Sequence, residues 1–217
     1  MNEVGCFGKV PAHGDFVWQA LPADFVTPWD NWIQSQLLAL RESRGDGWLD
    51  SYLCSSIWRF VIRDDAFGAS SWAGIVSPSV DMVGRYFPFT IAASLPRYTS
   101  VVTAPSLLDA WFAHLEECLL QALQDALPVE SVLASARAFT PPDIGERSGE
   151  QERAAATPWS LRCGLETSWA TAMLDNIVHL QFPRPCRWAA VSPDSGLQQV
   201  EISDGVEGFA DLFTHPQ

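Results

Sequence analysis

The chain has 217 residues, enough for one large domain or two small ones. Of these, 47% are apolar and 12% aromatic, with ten Trp and twelve Phe, which is the composition of a globular protein with a sizeable core. The formal charge of -13 is carried evenly along the chain and repels phosphate backbones and anionic lipid, so neither nucleic acid nor a membrane surface is an expected partner.

The opening MNEVGCFGKV has no basic segment ahead of an apolar run, so no signal peptide is expected. No stretch approaches the roughly 18 apolar residues of a membrane span, and a cytoplasmic location follows as the expectation. VGCFGKV (4–10), ended by Pro11, reads as a first strand. Thr27 as a cap, Pro28 at the first helical position and Asp30 three after the threonine mark a helix start. Trp29, Trp32, Ile33, Leu37 and Leu40 then recur at helical spacing, and the helix should stop at Gly45. A short helical turn is expected around Trp48–Leu53.

IWRFVIR (57–63) switches the period to two, with Trp58, Phe60 and Ile62 on one face and Arg59 and Val61 on the other. SWAGIVS (71–77) is a second strand of this kind. YFPFTIAASL (86–95) follows, with Pro88 placed at its start or on an edge because proline donates no ladder hydrogen bond. Pro105 is expected to open the longest helix, with Leu108, Trp111, Phe112, Leu115 and Leu119 as its apolar stripe and Glu116 on its wet face. A helix at 129–138 comes next, then a polar linker at 140–156 flanked by Trp159 and Trp169, which are expected to be partly exposed. A helix near 166–177, strands at 187–191 and 198–202 and a terminal helix at 206–213 complete the reading. Five cysteines without a CxxC pair suit buried, reduced thiols. The pattern predicts an α/β fold, a mixed sheet with helices on both faces in a three-layer sandwich. One domain is expected, with a motif-rich part (1–138), the linker, and a C-terminal part (157–217) completing it.

Two polar groups carry the candidate chemistry. GKVPAHGDF (8–16) holds the chain's one lysine, Lys9, with His13 and Asp15. His-x-Asp can ligate a metal or pair a base with its orienting acid, and a glycine between two polar residues is equally an ordinary turn. Gly8-Lys9 lacks the earlier glycine and the following Ser or Thr of a phosphate loop. In PSVDMVGRYFPF (78–89), Asp81 and Arg85 stand four apart, close enough to form an ion pair in one helical turn. Arg59 interrupts an apolar strand and needs a counter-charge, which Asp15 or Asp81 could supply. Either these residues hold a structural corner, or His13, Asp15, Arg59, Asp81 and Arg85 line one polar cleft. No GxSxG, Cys–His or paired-carboxylate signature is present, so catalysis and cofactors are not expected.

Taken in order, GKVPAHGDFV, WDNWIQ, LDSYLCSSIWRF and WAGIVSPSVDMVGRYFPFTIAASLP resemble the TagF (ImpM) family of type VI secretion-associated proteins. The resemblance covers most of residues 5–96 and fades beyond about 100, leaving the general layout and a terminal FADLF segment. Ser56 stands where a proline is expected and Met82 where a polar residue is usual. The resemblance implies an α/β sandwich without established catalytic activity or cofactor. It also implies a negative, post-translational regulator of the secretion apparatus, acting with its forkhead-associated scaffold protein and a threonine kinase/phosphatase circuit. Lys9, His13, Asp15, Arg59, Asp81 and Arg85 are then the candidate partner- or ligand-binding residues.

Overall fold

The computed structural model describes residues 3–64, 66–67, 70–97, 99–139, 144, 169–182, 184–191, 198–206 and 212–213. The linker at 140–156 apart from Ile144, Trp159, the Trp169 side chain and most of the 206–213 segment lie outside them. Among the described residues, seven strands form one sheet: β1 (Gly5–Gly8), β2 (Val17–Gln19), β3 (Trp58–Ile62), β4 (Ser71–Ser77), β5 (Phe89–Leu95), β6 (Pro185–Val191) and β7 (Gln198–Asp204). Their order is β2-β1-β5-β4-β3-β6-β7. Helices cover both faces as expected. Where the sequence left strand polarity mixed, every pairing is antiparallel.

Strand alternation builds two cores. Trp58, Phe60 and Ile62 of β3, Trp72 and Val76 of β4, and Cys186 and Trp188 of β6 face one way. They meet Phe25, Trp29, Trp32 and Ile33 of α1 (Ala23–Arg44) and Tyr52 of α2 (Trp48–Leu53). Phe25 stacks on Trp29 at 5.5 Å and Trp32 on Trp188 at 5.1 Å. Burying a side chain such as Phe60 stabilises by roughly 2–3 kcal/mol. Val61, Ala73, Ile75 and Ile91 face the other way. There they pack on Trp111, Phe112, Leu115 and Leu119 of α4 (Asp109–Gln124) and on Val132 and Leu133 of α5 (Val129–Ala138). The Cys6 thiol lies in this second core, and burial pushes its pKa up to about 12, so it is chemically inert.

Several boundaries differ from the sequence reading for local reasons. α1 begins at Ala23, not at Thr27, because Phe25 and Val26 continue its buried stripe and their amides bond the Pro22 carbonyl at 3.1 and 3.0 Å. Pro28 therefore sits inside the helix, and α1, at 22 residues, is the longest helix among the described residues. Pro105 belongs to a separate short helix, α3 (Ala104–Leu107), which breaks at Leu108 before α4 starts. α6 (Trp169–Gln181) ends later than expected, and its Val178 reaches the α4 core. β2 has no counterpart in the sequence reading. Cys54 is exposed at the end of α2, whereas Cys6, Cys118 and Cys186 are buried. Among the described residues, no helix is long and apolar enough to cross a membrane.

Candidate functional site

Four of the predicted polar residues, Lys9, His13, Asp81 and Arg85, meet at the end of the sheet where β1 and β4 finish and β5 begins. Gly8 makes the approach possible. Its φ is +132°, and a Cβ there would stand 2.0 Å from the Pro88 carbonyl oxygen, so only glycine fits. The chain then turns at 9–16, with the His13 amide donating to the Val10 carbonyl at 3.0 Å. Lys9 points inward, its Nζ 3.0 Å from Asp81 Oδ2, and the two side chains are 7% and 0% exposed. The same ammonium lies 4.9 Å from the centre of the Phe16 ring.

Asp81 is the hub. Its Oδ2 also accepts from Arg85 Nε at 2.7 Å, while Oδ1 accepts the Val83 and Arg85 amides at 3.0 and 2.9 Å. The Asp81–Arg85 pair forms as the spacing predicted, but in a tight turn and not a helix. The Gly84 amide donates to the Asp81 carbonyl at 3.0 Å, and Val80 bridges Tyr86 in antiparallel fashion. Gly84 has φ +86°, the left-handed conformation that lets the turn close. Burial pushes the Asp81 carboxyl upward. The Arg85 amide, the Lys9 and Arg85 side chains and the Val83 amide outweigh it and hold the carboxyl well below the usual carboxylate range.

Further bonds tie the corner to its surroundings. The Arg85 Nη2 donates to the Gly14 carbonyl, and the Met82 amide donates to the His13 carbonyl at 2.9 Å. The Ser79 hydroxyl donates to the Lys9 carbonyl at 2.6 Å. The Tyr52 hydroxyl, from α2, donates to the Ser79 carbonyl and accepts its amide, both at 2.8 Å. His13 reaches α5, where its Nε2 accepts the Val129 amide at 3.2 Å. Lys9, Asp81 and Arg85 are bonded to one another and to the backbone around them, which braces the corner as a frame.

What the frame displays is apolar. Phe16 and Trp18 are 46% and 50% exposed, and Met82 and Val83 are 67% and 64% exposed. Phe16 stacks on Phe7 at 5.8 Å and meets Phe87 edge-on at 4.8 Å, and Trp18 meets Phe7 edge-on at 6.5 Å. Met82 Cε lies 3.4 Å from where a Gly14 side chain would begin, so the 9–16 loop and the 81–84 turn form one surface.

Two predicted site residues stand apart. Asp15 is exposed, and its carboxylate accepts the neighbouring Phe16 amide at 2.9 Å. Arg59 pairs with neither Asp15 nor Asp81. Alternation along β3 turns it toward α4, where Nε and Nη2 grip Glu116 at 2.6 and 2.8 Å and Nη1 bonds Asp109 at 2.7 Å. The Glu116 hydrogen bonds, reinforced by Asp109, raise the Arg59 pKa against the opposing effect of burial. The single cleft containing all five polar residues therefore does not form. Among the described residues, no group of three His, Cys, Asp or Glu side chains is placed to hold a metal ion. Sequence reading missed Phe16, Trp18 and Val83 as surface residues, and Glu116 and Asp109 as the partners of Arg59. The seven-residue spacing of Asp109 and Glu116, which puts both on one face of a helix, was the available signal.

An antiparallel sheet sandwiched by helices, with a lysine–aspartate–arginine corner bracing an apolar end surface, defines the class of protein. A family model described as "TagF N-terminal domain, Type VI secretion system-associated" matches residues 5–139. The chain belongs to that family. Among solved structures it is similar to PA0076 from Pseudomonas aeruginosa PAO1, with 30% identity and a TM-score of 0.77, over 98% of this chain and 94% of that one. A search of curated proteins finds no match.

Proposed function

We propose that this protein is a non-enzymatic accessory protein of a bacterial type VI secretion system. It acts in the cytoplasm as a negative, post-translational regulator by binding the system's forkhead-associated scaffold protein, within reach of the threonine kinase/phosphatase circuit. Family membership supports the secretion setting. One structural observation carries the binding mode: the charged corner is spent on internal bonds while Phe16, Trp18, Met82 and Val83 project from it. Large apolar side chains held by a rigid frame are the anchors that protein interfaces use, because little conformational entropy is lost on docking. The enzyme alternative needs a shared polar cleft, and it loses Arg59 to α4.

The test is binding of the purified protein to the scaffold protein of its own secretion system by calorimetry. Trp18→Ser and Met82→Glu, each confirmed as folded, are expected to weaken binding tenfold or more, about 1.4 kcal/mol. Wild-type affinity in both folded variants would overturn the assignment of this surface.

A further inference from the structure

A cleft of about 290 Å³ opens between β3, β6 and the start of α4, lined by Arg59, Val61, Pro105, Asp109, Phe112 and Arg187 among others. Its two arginines differ. Arg59 is neutralised by three carboxylate hydrogen bonds. Arg187 stands opposite Val61 in the β3–β6 register and so faces the same way as Arg59. It pairs with no carboxylate among the described residues. Its Nη1 makes a single long bond, 3.4 Å, to the Val102 carbonyl, and its Nε is sealed from solvent without an acceptor. Burial lowers the Arg187 pKa from the ordinary arginine value, a sign that its charge is uncompensated. A half-buried guanidinium without a counter-charge is costly, and an anion entering the cleft would relieve that cost.

We propose that this cleft binds a small organic monocarboxylate. Its carboxylate sits on the free Nη edge of Arg187 and its apolar body packs against Phe112, Pro105 and Val61. Charge selects the class: Asp109 and Glu116 already take up Arg59, so one positive charge, that of Arg187, is left to match, and a phosphate dianion would leave one of its own charges uncompensated. Size selects a free acid over a peptide, because a cavity of 290 Å³ is at the lower end of small-ligand pockets. The proposal stands independently of the scaffold-binding reading, since it concerns a different part of the molecule.

Benzoate is the probe, titrated into the full chain and followed by amide NMR shifts. Saturable shifts are expected at 59–61, 106–112 and 187–189, with weaker binding of inorganic phosphate and none of benzyl alcohol. Arg187→Gln should weaken benzoate about tenfold or more, the loss of a charge-assisted hydrogen bond. Ser106→Trp fills the cleft from an exposed position on α3 while leaving Arg187 itself in the chain, and should abolish binding, which decides the matter if Arg187→Gln does not fold. The proposal is overturned by no benzoate binding, by affinity unchanged in Ser106→Trp or folded Arg187→Gln, by phosphate binding more tightly, or by a blocked aspartyl peptide binding where benzoate does not.

Discussion

Asp81 concentrates the charge chemistry of the fold in one inaccessible carboxylate with four donors. Because its folded-state pKa is depressed below the ordinary 3.8, the stability it contributes is fully present above that value. That stability is lost as pH falls through the lower folded value. Asp81→Asn keeps the shape but removes the charge, leaving the buried Lys9 without its counter-ion. The variant should therefore be clearly less stable than wild type at pH 7, with the gap constant down to about pH 5 and shrinking below about pH 4. Urea unfolding midpoints at pH 7, 5, 4 and 3 measure this. A gap that stays constant to pH 3 would mean that the Asp81 charge contributes nothing.

At the scale of elements, the unexpected device is the start of α5. Pro128 precedes it and offers no side-chain cap, yet a helix leaves its first amides without partners. His13, on a loop 116 residues earlier, supplies the acceptor through Nε2 at 3.2 Å. That contact requires the neutral ring with its proton on Nδ1. His13→Ala should cost about 1 kcal/mol, as loss of an N-cap does, and should speed hydrogen exchange at Val129–Leu133 before the rest of the chain. His13→Asn, which keeps an acceptor on a shorter arm, should recover part of the loss. Such a link was not legible in the sequence, where His13 and Asp15 read either as a metal or acid–base pair or as an ordinary polar turn. What was legible came from periodicity: the two faces of β3, the stripe of α4, both ends of α5 and the strand at 71–77. β2 escaped because three residues, one buried, carry no measurable alternation. The Asp81–Arg85 pair was visible because four-residue spacing is local information, although a turn and not a helix realises it. The partners of Arg59 lie 50 and 57 residues away, and only the packing of α4 on β3 brings them near.

Across the whole molecule, the sheet separates what the sequence grouped together. The Lys9–Asp81 pair hangs from the end of β1, while Arg59 clamps β3 to α4, and β5 and β4 lie between those strands. Three strand spacings amount to roughly 14 Å, beyond the range at which substitutions usually couple. The two groups share no partner in any hydrogen bond or ion pair described for them. Lys9→Met should destabilise by roughly 3 kcal/mol, the low end for breaking a buried pair, because Arg85 still holds Asp81. Arg59→Met should cost less, since Asp109 and Glu116 can turn to solvent. If the groups are independent, the double variant loses the sum of the two within about 0.5 kcal/mol. A larger coupling energy in the denaturation cycle would show that one polar network spans the sheet after all.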